Sequence, residues 1–284
     1  MLTIFSIPKS FDGNAARHQR NAIRSWRALA PEVEILLFGS DRGTAEAAGE
    51  FGAHHFPEVA TTTLGTPRLD GVFREAQRVA RWPTLLYANA DIVFFKDLLD
   101  AALAVQGLDR YLVCGRRIDL DMEEDLGTDT DAMERFAARS RREGTVHPPN
   151  GSDYFLFPRG LIDLPPFSVG RPGWDNWLMY WAHAEGVPLI DASSAVAPVH
   201  QNHDYSHSRF GTATQVRGPE YLENVRLAGG SSMMLDLRAA GWLLGPHGVT
   251  RKPALDSAIA SAHASAPVRA LLGVKRVLQR ALHR

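Results

Sequence analysis

An α/β domain with a mixed, mostly parallel sheet flanked by helices is the fold that this sequence predicts. Three observations predict it. Apolar strand-like runs alternate with stretches of helical spacing through residues 2–95. Turn residues or prolines close each run, at Pro8, at Gly39-Ser40-Asp41 and at Pro83. Polar side chains collect where the strands end, and in parallel sheets ligands bind beyond those carboxyl ends.

Leu2–Ile7 reads as a buried first strand, stopped by Pro8. Asn14–Leu29 has helical spacing, with Ala22, Ile23, Trp26 and Leu29 on one side and Arg17, Arg20, Arg24 and Arg27 elsewhere. Val33–Phe38 is a second strand, Thr44–Phe51 a short helix and His54–Phe56 a short third strand. Thr66 and Pro67 open a helix that runs to Arg81, with Thr66 as its cap. The strand Thr84–Val93 follows.

The second half is less regular. Tyr111–Cys114, Tyr154–Phe157 and Pro188–Asp191 read as strands, and Met133–Glu143 and Trp174–Glu185 as helices. Residues 119–131 form an acidic loop or cap, residues 144–153 a loop, and residues 198–218 a His-rich loop. A domain over residues 1–250 and a helical tail over 251–284 are expected.

Bulk properties exclude several classes. The 284 residues, with 45% hydrophobic content, suffice for one large domain with a buried core or two modest ones. A net charge of -1 argues against a dedicated nucleic-acid binder. The one cysteine, Cys114, forbids an intramolecular disulfide and lies in the apolar run YLVCG, where it reads as core. No basic segment followed by an apolar one precedes the first strand, and no run has the length of a membrane span. A cytoplasmic protein is expected.

The stretch TLLYANADIVFFK, residues 84–96, is the sharpest feature. A buried strand there delivers Asn89 and Asp91 to its exposed end. A carboxylate so placed can hold a divalent cation, and the cation a diphosphate. Arg68 and Asp70 open the preceding helix, where backbone N–H groups and a guanidinium can meet phosphate; a surface cation is the plainer reading of Arg68.

The segment TPRLDGVFREAQRVARWPTLLYANADIVFF resembles the middle of a GT-A glycosyltransferase domain, in which a helix leads into a strand ending on a short acidic signature. The resemblance covers residues 2–210. It implies a Rossmann-like fold, a nucleoside-diphosphate-sugar donor and Mn²⁺ or Mg²⁺. The chain departs from the signature, because the first acid is Asn89 and Asp91 stands alone.

HQNHDYSH, residues 200–207, supplies His200, His203, Asp204 and His207. Neutral imidazole binds Mn²⁺ and similar metals. The resemblance implies that a late His completes the coordination begun by the acidic signature, and His200 is favoured because it directly follows the apolar run 195–199. Hydrogen-bonding histidines in a polar loop, or a separate three-His zinc site, are the alternatives.

Gly173-Trp174-Asp175-Asn176-Trp177 places one acid between large aromatics at a helix start, where desolvation raises its pKa. An N-cap among core tryptophans is the other reading. The resemblance points to the base that deprotonates an acceptor hydroxyl in an inverting transfer. Gly151 and Asp153 can meet sugar hydroxyls on a loop before a strand. Pro8, Lys9 and Asp41 sit where the family holds base and ribose.

PVRALLGVKRVLQRALHR, residues 267–284, carries five basic residues and no acid. Such an amphipathic stretch suits an anionic membrane surface, or packs on the domain with a basic outer side. The expected function is metal-assisted sugar transfer to a glycan or lipid-linked saccharide, inverting with Asp175 as base, or retaining if Asp175 is only structural. A non-catalytic nucleotide-sugar or glycan-binding scaffold is the rival. A nucleotidyltransferase is less favoured, because residues 10–16 hold a single glycine.

Overall fold

The structure, a computed structural model, describes residues 1–127, 129–202 and 218–253. His203, Asp204, His207 and the stretch 267–284 lie outside the described residues.

The first half follows the expected alternation: β1 (Leu2–Ser6), α1 (Gly13–Leu29), β2 (Glu34–Phe38), α2 (Thr44–Phe51), β3 (His54–Phe56), α3 (Leu69–Val79) and β4 (Thr84–Ala88). β5 (Ile92–Val93), α4 (Asp97–Ala104), β6 (Leu112–Cys114) and β7 (Ile118–Leu120) come next. After α5 (Thr130–Glu143), β8 (Thr145–Val146), β9 (Tyr154–Pro158), α6 (Trp174–Ala184), β10 (Leu189–Asp191) and β11 (Val199–Gln201), the described chain ends with α7 (Pro219–Leu227), β12 (Trp242–Gly245) and β13 (Gly248–Arg251).

Nine strands form the main sheet in the order β3-β2-β1-β4-β9-β6-β10-β12-β13. β1, β2, β3 and β4 are mutually parallel, as are β6, β10 and β12, whereas β9 runs antiparallel to β4 and β6 and β13 antiparallel to β12. The order 3-2-1-4 is that of a Rossmann half, with its switch point between β1 and β4. A second sheet, β5-β11-β7-β8, stands beside the carboxyl end of β4.

Side chains alternate across the main sheet with the two-residue period of a strand. Phe5, Leu85, Tyr87, Phe155 and Phe157 enter one core with Phe73 of α3 and Leu178 and Met179 of α6. Ile4, Leu86, Tyr154 and Leu156 enter the other with Ile23 and Trp26 of α1 and Leu98 of α4. Cys114 is fully buried in the first core, and burial pushes its thiol well up, so it is core as expected.

Several boundaries moved for identifiable reasons. The run 84–93 is not one strand. It leaves the main sheet after Ala88 and enters the small sheet at Ile92, where β5 pairs antiparallel with β11. The Trp26 indole N–H donates to the Ile92 carbonyl at 2.8 Å and fixes that exit. Thr66 does not cap α3, because its hydroxyl donates to Glu220 at 2.9 Å and the helix begins after the extended residue Arg68. Asp129 caps α5 by accepting from the Ala132 N–H at 2.7 Å, which starts that helix at Thr130. His200 lies inside a strand rather than at its end. Among the described residues, no helix is long and apolar enough to cross a membrane.

Phe73 touches Phe5, Tyr87, Phe157 and Trp174, with ring centroids 5.0 to 6.2 Å apart. Phe73→Ala should therefore cost about 3–5 kcal/mol. Urea unfolding checks this: the midpoint should fall while the slope stays constant.

Candidate active site

Strand order explains where the cleft lies. β1, β2 and β4 all end on one edge, and β9, being antiparallel, begins there. Pro8 and Lys9 follow β1, Asp41 follows β2, Asn89 to Asp91 follow β4, and Asp153 precedes β9. All of them, together with His200 from the small sheet, line one cleft of about 470 Å³. Gly65, Thr66, Pro67 and Gly170-Arg171 complete its wall.

Each polar group is held by a specific partner. Gln19, in the first turns of α1, grips the Lys9 backbone twice, accepting from its N–H and donating to its carbonyl, each at 2.8 Å. The Ser10 hydroxyl donates to Asp41 at 3.2 Å. The Asn89 amide donates to Asp153 at 2.7 Å, and the Asn89 N–H donates to the Asp153 carbonyl at 2.9 Å. Tyr87 donates its hydroxyl to the Asn89 side-chain oxygen at 3.2 Å. Burial, and then the charges of Asp153, Asp91 and Asp175, keep that phenol neutral.

Behind these residues runs a chain of charges. Arg117 bonds Asp153 through one guanidinium nitrogen and Asp119 through Nε, at 2.7 Å for the latter. Asp119 lies 2.6 Å from His147 Nδ1 and 3.2 Å from His200 Nδ1. Burial opposes ionisation of Asp119, but bonds from His200, His147 and Arg117 outweigh it and hold the carboxyl well below its ordinary range. Burial likewise opposes the charge of His200, yet the bond to Asp119 and the nearby Asp91 carry its pKa upward.

The backbone of Asp91 is fixed from below. Gln201, fully buried, donates to the Asp91 carbonyl at 3.0 Å and to the His18 carbonyl at 2.8 Å, and its oxygen accepts from Asn21 at 3.0 Å. The register of β5 against β11 sets His200 opposite Ile92, the neighbour of Asp91. Asp91 and His200 are thus placed on one floor by the small sheet.

Among the described residues, no group of three His, Cys, Asp or Glu side chains forms a metal cage. One carboxylate and one imidazole could hold a divalent cation that takes its other ligands from a diphosphate and water; the oxygen ligands suit Mg²⁺ or Mn²⁺, and the imidazole nitrogen favours Mn²⁺ of the two.

Four expected site residues stand elsewhere. Arg68 forks onto Asp70 at 3.2 and 2.8 Å, so the two satisfy each other at the start of α3 and are not part of the cleft wall. Gly151 does not line the cleft either; it lies against the ring of His147. Asp175 is off the main cleft, in the first turn of α6, where it accepts from the Gly173 N–H at 3.3 Å. Burial lifts its carboxyl to about 6, with backbone N–H groups opposing and the Asp153 charge assisting.

Sequence reasoning missed Gln19, Tyr87, Arg117, Asp119, His147, Arg171 and Gln201. Most are isolated polar residues in strands or loops with no local pattern. Arg171 is legible only through Glu220, which is buried and accepts from Thr62, Thr66 and Arg171, at 2.6, 2.9 and 3.0 Å. That latch ties both cleft loops to α7.

No family model matches the chain, and no curated protein matches it by sequence. Among solved structures the chain is similar to M. tuberculosis glucosyl-3-phosphoglycerate synthase, with 14% identity over 81% of each chain and a TM-score of 0.48. The same synthase in complex with Mn²⁺, uridine diphosphate and phosphoglyceric acid gives 14% identity, 81% of this chain, 79% of that chain and a TM-score of 0.49. S. aureus TarS 1-349 gives 12% identity over 43% of this chain and a TM-score of 0.34, and the match spans only 37% of that structure.

The Asn89 contact yields a test. Asn89→Asp would set two carboxylates at the 2.7 Å now bridged by an amide donor. One of them must then hold a proton, with a pKa raised above its unfolded value. The variant should lose about 1–3 kcal/mol at neutral pH. That gap should be small at acidic pH and open as pH rises through the raised pKa. Urea unfolding at a series of pH values measures it.

Proposed function

We propose that this chain is a GT-A-type glycosyltransferase that moves a sugar from a nucleoside-diphosphate-sugar donor to a hydroxyl of a glycan or lipid-linked saccharide. One observation carries the reading: Lys9, Asp41, Asp91, Asp153 and His200 converge in one cleft at the carboxyl ends of β1, β2 and β4, at the switch point of the sheet.

Each group has a role in that reading. Asp41 accepts from a ribose hydroxyl or a base N–H, and Lys9 stands beside it as a cation. Asp91 and His200 would hold Mn²⁺ or Mg²⁺ together with the donor's diphosphate. When bound, the cation neutralises charge that develops on the leaving diphosphate. Asp153, already oriented by Asn89 and Arg117, accepts from hydroxyls of the transferred sugar.

Asp175 is proposed as the base of an inverting transfer. It removes the acceptor proton as the acceptor oxygen attacks the anomeric carbon and the bond to the diphosphate breaks. A carboxyl with a pKa of about 6 is a stronger proton acceptor than an ordinary aspartate and is still ionised at neutral pH. The five basic residues of 267–284 favour an acceptor presented at an anionic membrane surface.

Thermal shift and donor hydrolysis across UDP-, GDP-, dTDP- and CMP-sugars, with and without Mn²⁺, test the class. One nucleotide sugar should stabilise the protein in a metal-dependent way, and Asp91→Ala should abolish that effect. Silence across the panel would sink the enzyme reading and leave a glycan-binding scaffold.

Asp175→Asn should slow transfer by about 10²–10⁴ while sparing donor binding. Because a protonated acid cannot accept, acceptor kcat/KM should rise about tenfold per pH unit below about 6 and level above it. The linkage has the opposite sign for stability. A folded-state pKa above the unfolded value makes ionisation unfavourable to folding, so Asp175→Asn should gain about 1–3 kcal/mol at pH 8. Urea unfolding reads this separately from turnover.

A further inference from the structure

We infer that Asp119 is a positioning residue that fixes the ring tautomer of His200 and, through it, the nitrogen that His200 presents to a cation. The inference rests on the cation reading of the cleft given above.

The geometry comes from strand register. β7 and β11 are parallel, and their pairing sets His200 directly beside Asp119. Asp119 Oδ1 lies 3.2 Å from His200 Nδ1 and accepts from Arg117 Nε at 2.7 Å. Its other oxygen lies 2.6 Å from His147 Nδ1. One carboxylate therefore meets two imidazoles, each through Nδ1, and one guanidinium.

An ionised carboxylate only accepts hydrogen bonds. A neutral ring facing it must carry its proton on Nδ1, and the lone pair is then on Nε2. Solvent-exposed imidazole favours the reverse. Carboxylates that receive the N–H of a metal-binding His also fix its orientation and raise its basicity. Arg117 adds a second constraint, because it joins Asp119 to Asp153 and so ties the orienting carboxylate to the sugar side of the cleft.

Substitutions at 119 separate positioning from charge. Alanine removes both acceptor oxygens. Asparagine keeps one oxygen and replaces the other with an N–H₂ group. Arg117 Nε, a donor, selects the oxygen for the side that His200 shares. The N–H₂ then faces His147, which must change tautomer while His200 need not.

The measurement is ¹⁵N spectroscopy of the histidine rings in the metal-free full chain, above the imidazole titrations, with Mn²⁺ binding followed by water-proton relaxation. Wild-type His200 and His147 should both show the Nδ1–H form. Asp119→Ala should lose that form at His200 and weaken Mn²⁺ binding by about 10- to 100-fold. Asp119→Asn should switch His147 alone and bind Mn²⁺ almost as wild type does. Circular dichroism confirms that the variants are folded, and a variant that unfolds is replaced by Asp119→Ser, for which loss of the His200 Nδ1–H form is again expected. An Nε2–H form at wild-type His200, or equal Mn²⁺ loss in the alanine and asparagine variants, overturns the proposal. If His200→Ala leaves Mn²⁺ affinity unchanged while the wild-type ring pattern is as expected, the cation reading falls, and the assignment built on it falls too.

Discussion

The cleft depends on one carboxylate, that of Asp153, which accepts from Asn89 on one oxygen and from Arg117 on the other. Those two contacts tie the exit of β4, the entry of β9 and the approach to β7. Asp153 and Arg117 are both largely buried, so neither charge is well solvated when alone. Removing one partner of such a pair leaves the other as an uncompensated buried charge, which typically costs about 3–5 kcal/mol. The pair is therefore weak evidence for stability and strong evidence for position. It holds the Asp153 carboxyl group fixed between a neutral amide and a cation.

The two sheets divide the work. The large sheet supplies the rigid cores and a row of strand ends at the Rossmann switch point. The small sheet exists because the chain after Ala88 has to leave the main sheet, and Trp26 and Ser25 of α1 fix where it goes, the latter by accepting from the Phe94 N–H at 3.1 Å. Once β5 pairs with β11, His200 arrives next to Asp91 without any sequence proximity between them. Buried amides then lock the arrangement, since Asn21 and Gln201 are both fully buried and bonded to one another. Asn21 also donates to the Glu124 carbonyl and accepts from the Leu126 N–H, so both amides are satisfied on their oxygen and nitrogen ends, which is the condition for a polar core to specify one geometry.

Asn89 shows how a local reading misleads. Beside the acidic signature that the segment resembles, it looks like a lost ligand. Beside Asp153 it is a gained donor, and a second acid there would put like charges in contact. The same reversal holds for Arg68 and Asp70, which look like a phosphate grip at a helix start and instead satisfy one another. In both cases the side-chain chemistry was legible, and its partner was not.

What the sequence determined alone is the α/β class, the first four strands with their helices, and the cleft residues Pro8, Lys9, Asp41, Asn89, Asp91, Asp153 and His200. Periodicity and turn chemistry are local, and in a parallel sheet the end of every strand points to the same edge, so local reading sufficed there. Tertiary structure decided the break in β4, the second sheet, and the groups that link the cleft from behind: Arg117, Asp119, His147 and Gln201. Their meaning lies in cross-strand register and in pairings between residues as far apart as Asp91 and Gln201, or Asn89 and Asp153. No periodic pattern along the chain encodes such a pairing, because burial of charge is a property of the assembled neighbourhood and not of the residue that carries it.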